Sequence, residues 1–339
     1  MQKKCYIIGI LLLAGAMGVA CDDDALPQSL PTEAMPLQFA PAVEQELTPD
    51  AATTRGVPVT TVADFGVLCC KSAAFNPATD KPSYIHNKKV VKQATLWAFE
   101  QPQYWPSEGK LSFFAYAPYG VATPSAQSVV GQPTFTYHVP QSVAAQHDLL
   151  IAAPALDQTY SATQPVQLQF NHVLAGITFA ARMDGALTNE TRTVKAISIG
   201  GLANEATCSS AFVWSALKST ADNTYTVSVA DNSLLDKPMN STTVQELTPA
   251  NGMMMMVIPQ SIADVVTLSV RVARTNTTTG VTQEQTIQGN LRTTTFTELV
   301  RAKRYKVTLV LGTGALPTIS VSYTLVAWSP ENVTIPPFV

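Results

Sequence analysis

Ser215-Ala216-Leu217-Lys218 sets a serine three residues ahead of a lysine, the spacing with which acyl-serine enzymes let an amine activate a hydroxyl. That chemistry needs a long helix to carry the pair and companion segments beside it. No Ser-Asp-Asn or Lys-Thr-Gly triplet accompanies the pair, so it reads as coincidence. The histidines His86, His138, His147 and His172 are scattered, without the His-x-His or His-Glu-x-x-His spacing that holds a metal. His172 reads as a hydrogen-bonded residue bracing a strand start. Met253 to Met256 offers thioethers to a soft metal, but a strand alternates them across two faces and core filling is the better use. Gly312-Thr313-Gly314 lacks the third glycine of a dinucleotide-binding turn. Trp97, Trp105, Trp214 and Trp328 could stack on sugars, although strand aromatics more often fill cores. The expectation is a chain with no catalytic residue, metal or cofactor, and not an enzyme.

A different chemistry sits at Cys21. Lys3 and Lys4 precede an apolar run from Tyr6 to Met17, and Gly18-Val19-Ala20 then leads into the cysteine, so residues 1–20 read as a secretion signal. A transmembrane helix needs about 20 apolar residues. Here acids begin at Asp22. The cysteine after small residues resembles a bacterial lipobox, in which the thiol is acylated and the peptide is cut just before it. With more than one acyl chain and roughly 0.8 kcal/mol per buried methylene, such an anchor is lasting. The triplet Asp22-Asp23-Asp24 is similar to the acidic signal that sends Bacteroidetes lipoproteins to the outer face of the outer membrane. Cys5 leaves with the signal, and the mature body keeps Cys69, Cys70 and Cys208. Adjacent cysteines on a strand face opposite ways, so one could be a buried small hydrophobe while the other pairs with Cys208 or stays free.

Removing twenty residues from 339 leaves 319, enough for two domains. A net charge of -3 with 13% charged residues gives no clustered basic face, which excludes capture of nucleic acid. Lys88, Lys89 and Lys92 read as a solvated strand edge. From Asp22 to about Thr54 the chain is rich in Pro, Ala, Thr and acids, with one apolar segment, Met35 to Phe39, able to form a strand. Beyond Gly56, short alternating apolar runs punctuated by Pro, Gly and Asn predict strands such as 92–99, 110–117, 134–139, 166–170, 192–199, 265–273, 305–311 and 318–328. No helical pattern of comparable length survives. The division expected is a signal over 1–20, a leader over 21–55, and β-sandwiches over 56–162 and 163–339, parted near the polar loop Gln158 to Pro165.

Several segments carry a resemblance. They are Trp97 to Phe99, Trp105-Pro106, the run Leu111 to Pro118 ending in Ala115-Tyr116-Ala117-Pro118, Asp148 to Ala152, and Phe170-Asn171-His172-Val173-Leu174. Val257-Ile258-Pro259-Gln260, the strand from Lys303 to Leu311 and a closing strand with Trp328 continue it. In this order they resemble the Bacteroidales fimbrillin-like proteins. The resemblance implies an all-β fold of two transthyretin-like Greek-key β-sandwich domains, acting as stalk, tip or anchor of a cell-surface fimbrium. It also implies assembly with other fimbrial subunits by strand exchange: a first strand fills a groove until an arginine-specific protease cuts after it. Here that strand would be Met35, Pro36, Leu37, Gln38 and Phe39, and the cut Arg55-Gly56. Partners would then be neighbouring subunits, outer-membrane lipid through Cys21, and a host or bacterial surface ligand. The alternative is a surface lipoprotein that does not polymerise and binds a glycan or adhesion partner through its loops.

Overall fold

The structure, a computed structural model, describes residues 35–44, 62–220, 223–230, 233–247, 254–314 and 319–326. The first half of the chain forms β1 (Gln38–Val43), β2 (Asp64–Ser72), β3 (Ile85–Gln93), β4 (Leu96–Phe99), β5 (Lys110–Ala117), β6 (Thr123–Pro124), β7 (Thr134–His138), β8 (Leu150–Ala152), β9 (Ala155–Gln158) and β10 (Val166–His172). Seven of them close on themselves in the order β2-β3-β4-β1-β10-β8-β5, with β5 pairing back to β2. Closing the ring removes the open edges that would otherwise invite foreign strands. Its pairings are antiparallel except for β1 with β10, which is parallel. Leu37, Phe39, Phe65, Val67, Phe99, Leu111, Phe113 and Phe170 fill the inside.

Part of the outer face of this ring is also covered. Leu68 and Cys70 of β2, with Phe114 and Tyr116 of β5, join a second, larger core that continues into the other half of the chain. This explains why β2 escapes a search for alternation. Phe65 to Cys70 is buried at every position, so the run shows no period of two. At Gly66 an added Cβ would lie 2.5 Å from Cε1 of Tyr116, so only glycine lets that ring close over the strand.

β10, which follows the polar loop 158–165, stays in the ring and reaches β11 (Ala175–Met183) through Val173 and Leu174 alone. Next come β12 (Glu190–Gly200), β13 (Glu205–Ser209), β14 (Trp214–Lys218) and β15 (Thr224–Ser228). β11 pairs with Arg304–Leu311, which in turn carries Ile319–Val326 on its outer side. β12 lies between β15 and Thr267–Asn276, with Thr282–Asn290 beyond. β13 reaches back to pair with β7, so the sheet β14-β13-β7-β6 is shared by the two halves. The fold is all-β: among the described residues only the 3-10 turns Val143–Ala145 and Ser233–Asp236 are helical.

The three body cysteines follow from this layering. Cys69 faces the ring interior, Cys70 and Cys208 face the larger core, and all three are buried free thiols. Burial pushes Cys69 well up, with Cys70 beside it adding to the effect, and burial holds Cys70 and Cys208 up at about 12. An unfolded cysteine ionises near pH 8.5. These thiols therefore favour the folded state below that pH, and the contribution falls as pH rises from about 8.5 towards 12. Iodoacetamide at mildly alkaline pH is expected to leave all three unmodified in the native protein and to label them once denaturant is added. Rapid labelling without denaturant would contradict their burial.

Candidate functional site

β1 is the element on which a function can be built. It lies between β4, which it meets antiparallel at Gln38–Ala98 and Phe39–Trp97, and β10, which it follows in parallel from Phe39–Val166 to Val43–Phe170. Backbone bonds extend the pairing at both ends. Leu37 donates to the carbonyl of Gln103 (2.8 Å), Trp105 donates to that of Met35 (2.9 Å), and Glu44 donates to that of Phe170 (2.7 Å). Pro36 forms a single bridge with Tyr104. Regular pairing thus runs from Gln38 to Val43, whereas the sequence pattern places the strand at Met35 to Phe39. Pro41 hides the continuation, because a proline inside a run reads as a strand breaker. It is accommodated because it sits past the last β4 partner, where only β10 remains alongside.

Leu37 and Phe39 are each about 1% exposed, and Gln38 turns the other way. The Phe39 ring meets Phe65, Phe99 and Phe113 edge-on at centroid distances of 5.9, 5.4 and 5.5 Å. One side chain thereby contacts β2, β4 and β5 at once. The chain after Glu44 passes through residues 45–61, where Arg55 and Gly56 lie outside the described residues, as does Cys21. It resumes at Val62, which packs into the same interior as Phe39.

Several of the other candidates make structural contacts, and Trp328 lies outside the described residues. The hydroxyl of Ser215 donates to the carbonyl of Thr207 at 3.3 Å, and Lys218 pairs with Glu205 at 2.9 Å on an exposed strand. Serine and lysine are therefore each engaged with β13. His172 bonds through Nδ1 to the buried carboxylate of Asp148 at 2.8 Å. Met254, Met255 and Met256 are all buried in the larger core. The carbonyls of Gly312, Thr313 and Gly314 accept from the guanidinium of Arg192, a fully buried arginine whose Nε donates to Glu190 at 3.2 Å. Sequence spacing gave no signal for this clamp, since its ends lie 120 and more residues apart. Among the described residues no three of His, Cys, Asp and Glu come together as a metal set.

A family profile described as fimbrillin-like matches residues 52–328. Among solved structures, a candidate cell adhesion protein from Bacteroides ovatus is similar at a TM-score of 0.50 and 16% identity, covering 88% of this chain and 100% of that one. A second, from Bacteroides uniformis, gives 0.49 and 17% over 88% and 100%. The fimbrial anchor protein from Porphyromonas gingivalis gives 0.34 and 10% over 87% and 100%. The likeness to the Bacteroides ovatus protein extends to the fold alone. No curated protein matches the chain.

Removing the Phe39 ring takes away contacts to three strands in a closed core. Phe39→Ala is expected to cost about 3–5 kcal/mol, read as a lowered urea midpoint. A loss below about 1 kcal/mol would mean that β1 does not fill the ring as described.

Proposed function

The chain belongs to the fimbrillin-like family, and from that premise we propose that it is a stalk, tip or anchor subunit of a cell-surface fimbrium, assembled by protease-triggered strand exchange. The observation that carries this reading is the position of β1. It is the stave that completes a ring of otherwise antiparallel strands, and residues 45–61, with the Arg55-Gly56 bond among them, are its sole covalent tie to the rest of that ring. Cutting there leaves β1 held by backbone pairing and by Leu37 and Phe39. Once it departs, β4 and β10 each expose a row of donors and acceptors beside an open core. A strand from another subunit then regains ladder bonds and apolar burial together.

In the same reading the ring and the sheets that follow it are the two sandwich domains. Acylated Cys21 ties the uncut chain to the outer leaflet of the outer membrane, from which cutting at Arg55 releases everything downstream. Residues 21–55 are then a leader that keeps the groove closed until export is complete.

Before the cut, β1 competes for its groove intramolecularly, at an effective concentration no free strand matches. An arginine-specific protease applied briefly to the purified wild type should remove the leader and shift the protein to larger species in size-exclusion chromatography. Arg55→Ala, treated identically, should stay monomeric. A wild type that loses its leader yet remains monomeric and stable would overturn the exchange reading.

The lipid anchor is tested separately. Cys21→Ala should yield uncleaved or mislocalised protein that no longer enters the detergent phase, whereas normal partitioning of that variant would dismiss the anchor.

A further inference from the structure

A cleft of about 320 Å³ opens where the start of β1, the segment leading out of β4 and the loop 160–165 meet. Trp105 and Tyr160 form its aromatic corner, with centroids 6.3 Å apart and planes at 68°. Gln38, Ser161, Thr163 and Gln164 supply amides and hydroxyls. Among the described residues that line it, none is Asp, Glu, Lys, Arg or His. The geometry points to a binding site for a neutral pyranose sugar.

Three features select that class. The volume lies near the lower end of the roughly 300–1,000 Å³ typical of small-molecule sites, which suits one or two sugar rings. The described lining, which carries no charge, cannot repay the desolvation of a carboxylate, sulfate, phosphate or ammonium group. An aromatic face, electron-rich at its centre, attracts the polarised C–H face of a pyranose, and side-chain amides both donate to and accept from its hydroxyls. The corner is also held in place before any ligand arrives. Trp105 is braced edge-on by Phe113 at 6.0 Å, and its backbone N–H donates to Met35 at 2.9 Å. The Ser161 hydroxyl accepts from the backbone of Gln164 at 3.1 Å and of Thr163 at 3.4 Å, which sets the shape of the loop.

Gln38 belongs to β1, so one wall of the cleft comes from the strand that closes the ring. The described walls are all present while β1 is in place, and sugar binding by the uncut chain does not rest on the exchange reading.

The test uses the purified uncut protein and saturation-transfer NMR with the methyl glycosides of glucose, galactose, mannose and N-acetylglucosamine, and with methyl glucuronide as the charged counterpart of the glucoside. At least one neutral glycoside should bind with a dissociation constant in about the millimolar range, ahead of the glucuronide. Tyr160→Ala, Gln38→Ala and Gln164→Ala, all outside the core, should each weaken binding about five-fold or more while leaving the melting temperature unchanged. Absence of binding by all four neutral sugars at tens of millimolar would refute the site. So would glucuronide binding as tight as the neutral sugars, or full affinity in well-folded Tyr160→Ala and Gln164→Ala. Loss of sugar binding and failure to assemble are read by different assays, so either proposal can fall without the other.

Discussion

Everything in the first half of the chain depends on β1 being paired on both sides. Six staves of the ring come from one continuous stretch, Asp64 to His172, and the seventh arrives from upstream to close it. Take the seventh away and the interior between β4 and β10 lies open, with Phe65, Phe99 and Phe113 losing the ring they share. A strand buried at its apolar positions, paired with β10 from Phe39 to Val43 and with β4 at Gln38 and Phe39, is hard to remove, yet its tie to the ring is the one segment 45–61. Under the exchange reading, those two properties, strong local pairing and a single covalent tie, are what would let a stable subunit carry an exchangeable strand.

How much of this the sequence discloses depends on what each strand touches. β5 and Arg304–Leu311 are legible because their ends are marked by polar or turn residues and their lengths suit strands. β2 is not, because two cores claim its two faces and erase the alternation. β1 is half legible: Leu37 and Phe39 announce it, but Ala40-Pro41-Ala42 reads as its end, although these residues pair with Gln167, Leu168 and Gln169. The partner of β1 could not be read at all, since a parallel pairing over more than a hundred residues leaves no local trace. The cross-chain pairing of β13 with β7 is hidden for the same reason. The cleft at Trp105 was visible only as a tryptophan, because its other walls come from Gln38 and from the loop at Tyr160.

In the second half a buried guanidinium ties together segments far apart in the chain. Arg192, buried without access to water, spends its guanidinium on three successive carbonyls of the turn 312–314 and on Glu190, which also receives Arg274 at 2.6 Å. A buried cation is tolerable only with its donors satisfied, and here satisfaction fixes the end of Arg304–Leu311. Further along, Gly289 brings Thr282–Asn290 close to Ile319, where an added Cβ would come within 2.9 Å of Cγ2. Ile319–Val326 is thereby seated at the rim of its sheet, alternating between half-buried and exposed residues up to Thr324.

The two halves meet at a junction too short to flex freely. Val173 and Leu174 alone join β10 to β11, and their backbones are held from the second half: Trp214 Nε1 donates to the carbonyl of Val173 at 2.6 Å and Ala302 N to that of Leu174 at 2.8 Å. Just before them, His172 is tied to Asp148. β10 is also the strand against which β1 lies in parallel over five residue pairs. Whatever strand occupies that place therefore presses on an element rigidly continuous with the second core. Under the exchange reading, tension along a fibre would load the β10 ladder in shear, where its bonds share the force, and would pass at once into the larger core through Val173 and Leu174. A flexible linker at the same point would let each subunit swing. Under the same reading, the stapled junction would make the direction of the incoming strand the direction of the next subunit.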